Sequence, residues 1–136
     1  ARRTIDTTLF GPMRVTDAVV PLIPDGGTIV MVSSGVGELS GFSRDLRAQF
    51  LDDGLTRDAL VALVRTFVRD VAEGTSHKAG WPQSAYKVSK ASLNALTRIL
   101  AAELAPPDQG QRGLPDRRHP HDRKADAAGG AGDAET

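Results

Sequence analysis

Apolar positions in this chain alternate between helical spacing and one unbroken run, and the change of pattern marks the elements. Ile5, Leu9, Met13, Val19, Val20 and Ile23 roughly keep one face of a helix. Gly11-Pro12 interrupts it. Proline has no amide to bond back one turn, so the segment reads as two helical pieces, bent at Gly11-Pro12, with Pro12 near the start of the second. Pro24-Asp25-Gly26-Gly27 marks a turn. Thr28-Ile29-Val30-Met31-Val32 then forms a continuous apolar and β-branched run ending at Ser33-Ser34-Gly35, the pattern of a strand buried on both faces of a parallel sheet.

Helical spacing returns afterwards. Ser43 to Asp53 predicts a short helix, and another runs from Thr56, a good N-cap, to Glu73, where Gly74 stops it. On that helix Leu60, Leu63, Val64, Phe67, Val68 and Val71 form the apolar stripe, leaving Arg57, Arg65, Arg69 and Asp70 for solvent. A loop of Gly, Ser, His and Pro precedes the longest helix, Gln83 to about Leu104, which carries Tyr86, Lys90, Leu93, Leu96, Ile99 and Leu100. Beyond Leu104 only Leu114 remains among the large apolar residues, so the stretch from 106 to 136 cannot build a core and is expected to be a disordered tail.

At 136 residues the chain has room for one domain, and 40% hydrophobic with 25% charged residues is a globular composition. Lys+Arg and Asp+Glu balance at 17 each, which leaves no sequence-wide footprint for nucleic acid or an anionic membrane; such partners would need a local patch. No cysteine is present, so disulfides, thiol catalysis and cysteine-ligated metal are excluded. No apolar run approaches the roughly 18 residues of a membrane span, and a cytoplasmic location is the expectation.

Two places carry candidate chemistry. Tyr86 and Lys90 lie four apart on a predicted helix and so share a face. An ammonium beside a phenol favours the phenolate, which turns a weak acid into a usable proton donor. Ser34 follows the predicted strand at its C-terminal end, where open α/β sheets place their ligand crevices, and a hydroxyl there could orient a carbonyl. Taken singly, a Ser-Ser pair that satisfies turn amides and an ordinary Tyr/Lys surface pair are the plainer readings.

The combination changes this. A strand followed by Ser33-Ser34-Gly35-Val36-Gly37, then Ser84-Ala85-Tyr86-Lys87-Val88-Ser89-Lys90-Ala91 opening a long helix, resembles the short-chain dehydrogenase/reductase family over about residues 4 to 105. The resemblance implies an α/β fold, here a helix-rich fragment of a doubly wound Rossmann-type parallel sheet. It assigns the catalytic set to Ser34, Tyr86 and Lys90. Tyr86 would protonate a carbonyl oxygen as hydride arrives from a nicotinamide cofactor, Ser34 would hydrogen-bond that oxygen, and Lys90 would hold the ribose and favour the phenolate.

Ser34 and Tyr86 are 52 positions apart, longer than in most members of the family, with a helical insertion at about 38–80. That insertion ends in Gly80-Trp81-Pro82 and, with Leu9-Phe10-Gly11 and Val20-Pro21-Leu22-Ile23, resembles the carbonyl reductase-like branch. The branch implies NADPH, with NADH the alternative, a small-molecule ketone or aldehyde substrate, and a monomer when complete.

Departures from the family pattern set further expectations. A full doubly wound sheet takes roughly 200 residues, and no Gly-x-Gly-x-x-Gly follows a strand near the start, so residues 1–105 read as the catalytic half and this truncated chain is expected to be inactive. Thr8 stands where the family usually has an asparagine supporting a water relay to the lysine. Codons chosen for Gly110 to His121, read with a one-nucleotide shift, give Val-Asn-Ala-Ala-Cys-Pro-Thr, close to the family's next strand, which points to a frameshifted tail. Arg117, Arg118, His119, His121, Arg123 and Lys124 make a weak basic or metal signal, and His77 reads as a loop residue. The alternative function is a non-catalytic remnant that acts as an interaction module.

Overall fold

Pro12 shapes the beginning of the chain. The computed structural model describes residues 1–35 and 38–105. Helix α1 (Arg2–Ile5) passes through a π turn (Asp6–Phe10) into α2 (Gly11–Val19), followed by a 3₁₀ turn at Val20–Leu22. In the π turn the Gly11 amide donates to the Asp6 carbonyl, so Pro12 falls in the first turn of α2, where its missing donor breaks no intrahelical bond. Two pieces form as the sequence implies, joined by a widened turn. The Gly27 amide then closes the turn on the Pro24 carbonyl at 2.9 Å, with Gly26 at φ +82°.

Thr28–Val32 is not a strand. Among the described residues no β-strand is present, and Val30 and Val32 are 78% and 81% exposed, while Met31 packs against the core. A parallel strand exists only through hydrogen bonds to neighbours, and no other described segment offers an edge. The run thus keeps its strand-like composition without the pairing that would bury both faces. The described residues are helix-rich rather than α/β.

The three later helices match the sequence signals closely. Helix α3 (Arg44–Leu51) is capped by Ser43, whose hydroxyl accepts from the Leu46 amide at 3.3 Å. Helix α4 (Arg57–Glu73) begins at Thr56, which accepts from the Ala59 amide at 3.2 Å, and ends on Gly74 at φ +72°. Helix α5 (Ala85–Glu103) starts at Ser84, which accepts from the Lys87 amide at 3.2 Å.

Helix α5 is the centre of the fold, touching α1, the π turn, α3 and α4. Val88, Leu93 and Leu96 are buried on it together with Ser89 and Ser92. The two hydroxyls donate to the carbonyls of Tyr86 and Val88 at 2.6 and 2.7 Å, so neither is left unsatisfied.

Beside α5 lies an aromatic cluster around Trp81. Its ring meets Phe67 at 5.1 Å between centroids, and Phe42 and Phe50 edge-on at 6.1 and 6.2 Å. Its indole N–H donates to Asp70 Oδ2 at 3.1 Å. Asp70 therefore departs from the solvent-facing position its place on α4 implied: it is 8% exposed, because the indole and the turn after Gly74 cover it. Val71, assigned to the stripe, is instead 39% exposed.

Gly80 ties this cluster to α3. It has φ +91°, its carbonyl accepts from the Ser43 amide at 2.9 Å, and an added Cβ would lie 2.4 Å from the Ser43 side chain. Gly80→Ala is expected to lower stability by about 1–3 kcal/mol, read as a drop in urea midpoint.

A surface network joins the far ends of the helices. Arg57 donates to Asp17, and to Glu103 at 3.3 Å. The bond to Asp17, chiefly, raises the guanidinium pKa above its ordinary value, with partial burial opposing it. A contribution from a raised pKa is full below the unfolded value and lost only as pH climbs through the folded one, so it is constant at ordinary pH. Arg57→Ala is expected to cost at most about 1 kcal/mol, with a smaller difference at high salt.

Candidate functional site

The Ser84 cap fixes where α5 begins, and that places Tyr86 in its first turn with Lys90 one turn further on. The Lys90 ammonium lies 5.7 Å from the centre of the Tyr86 ring, close enough for a cation–π contact. The ring itself is 47% exposed and so open to a ligand. The same-face pairing implied by the spacing is present.

Lys90 also reaches the other candidate segment. Its Nζ donates to the Val32 carbonyl at 3.2 Å, which holds the end of the apolar run against α5. Ser33 and Ser34 follow directly, both half-buried. The Ser33 hydroxyl is a buried oxygen with no hydrogen-bond partner among the described residues. Lys90 thus ties the helix bearing Tyr86 to the segment bearing Ser34. Val36 and Gly37, part of the sequence motif, lie outside the described residues.

Lys87, which carried no role in the sequence reading, forms a second tether. Its Nζ donates to Ser40 Oγ at 3.0 Å, and Gly41, at φ +89°, sits beside that ammonium. This holds the loop before α3 against the start of α5, next to Tyr86. The signal available in sequence was a cation adjacent to the tyrosine; its partner 47 positions away was not legible.

Other candidates separate from this region. Thr8 is half-buried in the π turn, an element that packs on α5. His77 is exposed in a loop, and among the described residues no group of three His, Cys, Asp or Glu could hold a metal ion. The segment from Arg117 to Lys124, with His119 and His121, lies outside the described residues, as does the rest of 106–136. No described helix is long and apolar enough to cross a membrane.

A phenol with an ammonium over its ring can deliver a proton to an oxygen placed against it. An ammonium has three donors, and one of Lys90's is engaged on Val32, which leaves two for a polyhydroxyl ligand. A carbonyl oxygen and a vicinal diol are therefore the groups such an arrangement could receive.

Comparison with known proteins bears on the same region. The chain is similar to carbonyl reductase (NADPH) 1 of Pongo abelii, 38% identical over 114 residues, which is 82% of this chain and 41% of that protein. It is 38% identical over 107 residues to carbonyl reductase (NADPH) 1 of Bos taurus, covering 77% of this chain and 39% of the relative. Against carbonyl reductase (NADPH) 3 of Rattus norvegicus it is 40% identical over 106 residues, 76% of this chain and 38% of the other. No family model matches. The chain spans about two-fifths of the length of these relatives. Identity at this level over most of its own length places the chain in the carbonyl reductase-like branch of the short-chain dehydrogenase/reductase family.

Proposed function

We propose that this chain carries the proton-transfer half of an NADPH-dependent carbonyl reductase, which reduces ketones or aldehydes to alcohols. The observation that supports it most is the Tyr86–Lys90–Val32 connection, which gathers the phenol, the ammonium and the serine-bearing segment on one end of α5. The fold of the whole domain is then a doubly wound Rossmann-type sheet in which Thr28–Val32 becomes a paired strand.

In this reading Tyr86 gives its phenolic proton to the substrate carbonyl oxygen and is left as a phenolate, which the Lys90 ammonium stabilises until solvent returns the proton. Ser34 donates a hydrogen bond to that oxygen and holds it in line with Tyr86. The remaining donors of Lys90 fit the hydroxyls of a nicotinamide ribose, and the orphaned Ser33 oxygen marks a polar position in the same segment. NADPH, when bound, supplies the hydride.

No Gly-x-Gly-x-x-Gly follows a strand near the start of these residues, and hydride transfer requires the cofactor to be held in place. The 136-residue polypeptide by itself is expected to oxidise NADPH negligibly with a simple diketone or quinone. Saturable turnover by that polypeptide would contradict this part of the reading.

One observation favours a second reading, a non-catalytic interaction module. Leu22, Val30 and Val32 are each about four-fifths exposed, an apolar edge that some partner surface would cover. The readings separate at Tyr86, which matters to the first and not to the second.

A further inference from the structure

Tyr86 has a second lysine beside it. Lys87, half-buried in the first turn of α5, makes no ion pair among the described residues, and its ammonium donates to the Ser40 hydroxyl at 3.0 Å. Lys90, one turn on from Tyr86, donates to the Val32 carbonyl. Two lysines of α5 thus grip the chain on either side of Ser34, one before it and one after.

Ser40 belongs to a tight turn. The Phe42 amide donates to the Leu39 carbonyl at 3.2 Å, and Gly41 takes φ +89°, the left-handed conformation that turns give to glycine at their third position. Packing fixes the two ends: Phe42 is buried edge-on to Phe50 and Trp81, and half-buried Leu39 rests against the core. The corner, Ser40-Gly41, is exposed. There an added Cβ on Gly41 would lie 3.4 Å from Lys87 Nζ and 3.7 Å from Pro82 Cβ, so Lys87 and the loop before α5 meet the turn closely.

Because Leu39 and Phe42 anchor the turn without it, an exposed bond from Lys87 adds little to global stability. Its consequence is local. It fixes where the corner stands relative to the first turn of α5, and a substrate whose oxygen meets Tyr86 rests the remainder of its body on the elements around that turn.

We propose that Lys87 is a positioning residue for carbonyl reduction, holding the 39–42 turn beside Tyr86 as part of the surface that receives the substrate. The inference rests on the proposed reductase reading. Lys87 acts through Ser40, so its removal weakens substrate binding and leaves proton transfer to Tyr86 and Lys90.

The test uses Lys87→Met and Ser40→Ala, singly and together. In the full chain, hydrogen exchange at the Phe42 amide, read by NMR, is expected to quicken about threefold to tenfold in either variant and no further in the double variant. Lys87→Arg, which keeps a donor, should restore most of the protection, and the amides of α5 should keep their rates throughout. Kinetics are read in a folded graft of residues 4–105 in place of the matching segment of carbonyl reductase (NADPH) 1. There KM for a simple diketone is expected to rise about threefold to tenfold in the single variants, with kcat held within about twofold. Unchanged Phe42 exchange in both single variants, additive effects in the double variant, or a loss confined to kcat overturns the proposal. Normal turnover with an unmoved KM overturns this inference alone, whereas a folded, unsubstituted graft without turnover overturns the reductase reading and this inference with it.

Discussion

Trp81→Ala is expected to lower stability by about 3–5 kcal/mol, a large part of the roughly 5–15 kcal/mol that holds a domain together. Three aromatic rings lose the partner they share, and Asp70 loses the N–H that accounts for its burial. Both effects act in one direction: a cavity in the core, and a carboxylate deprived of its donor. A urea titration followed by far-UV circular dichroism measures the loss. Trp81→Phe keeps an aromatic ring but removes the hydrogen bond and part of the buried volume, so it should cost less than the alanine variant.

The Trp81 cluster also explains which parts of the fold were legible in sequence. Helices α3, α4 and α5 were readable because their signals are local: Ser43 and Thr56 accept from amides three residues on, and Gly74 takes a left-handed stop that glycine adopts easily. Asp70 was misassigned because its partner, Trp81, lies beyond the end of its helix. Thr28–Val32 is unpaired among the described residues for a related reason. Its composition fits a strand, but a strand is a property of pairing, and the described residues supply no neighbour. At the site, the Tyr86–Lys90 pair followed from helical spacing, whereas the Lys90–Val32 and Lys87–Ser40 links span 58 and 47 positions and could not be read locally.

Tyr86→Phe is the second change with a large expected effect. Its measurement requires a cofactor-holding partner, so residues 4–105 are grafted in place of the matching segment of carbonyl reductase (NADPH) 1. In that graft the phenylalanine variant is expected to lose about 10²–10⁴-fold in kcat, the usual contribution of a positioned proton donor. Tyr86 is 47% exposed, and its hydroxyl is not needed to fill the core, so the fold should survive the change. KM for the carbonyl substrate should move far less than kcat, because the proton is required in the transition state rather than for binding. Lys90→Met should lower kcat too, and additionally raise KM for NADPH, since Lys90 both stabilises the phenolate and holds the ribose in this account.

Carbonyl reduction by the proposed Ser34, Tyr86 and Lys90 site is read from the initial rate of NADPH oxidation by the folded graft with a simple diketone. The expected result is saturable, diketone-dependent oxidation that disappears with Tyr86→Phe. A graft that melts cooperatively yet shows no diketone-dependent oxidation, or one whose rate is the same with phenylalanine at this position, would contradict it.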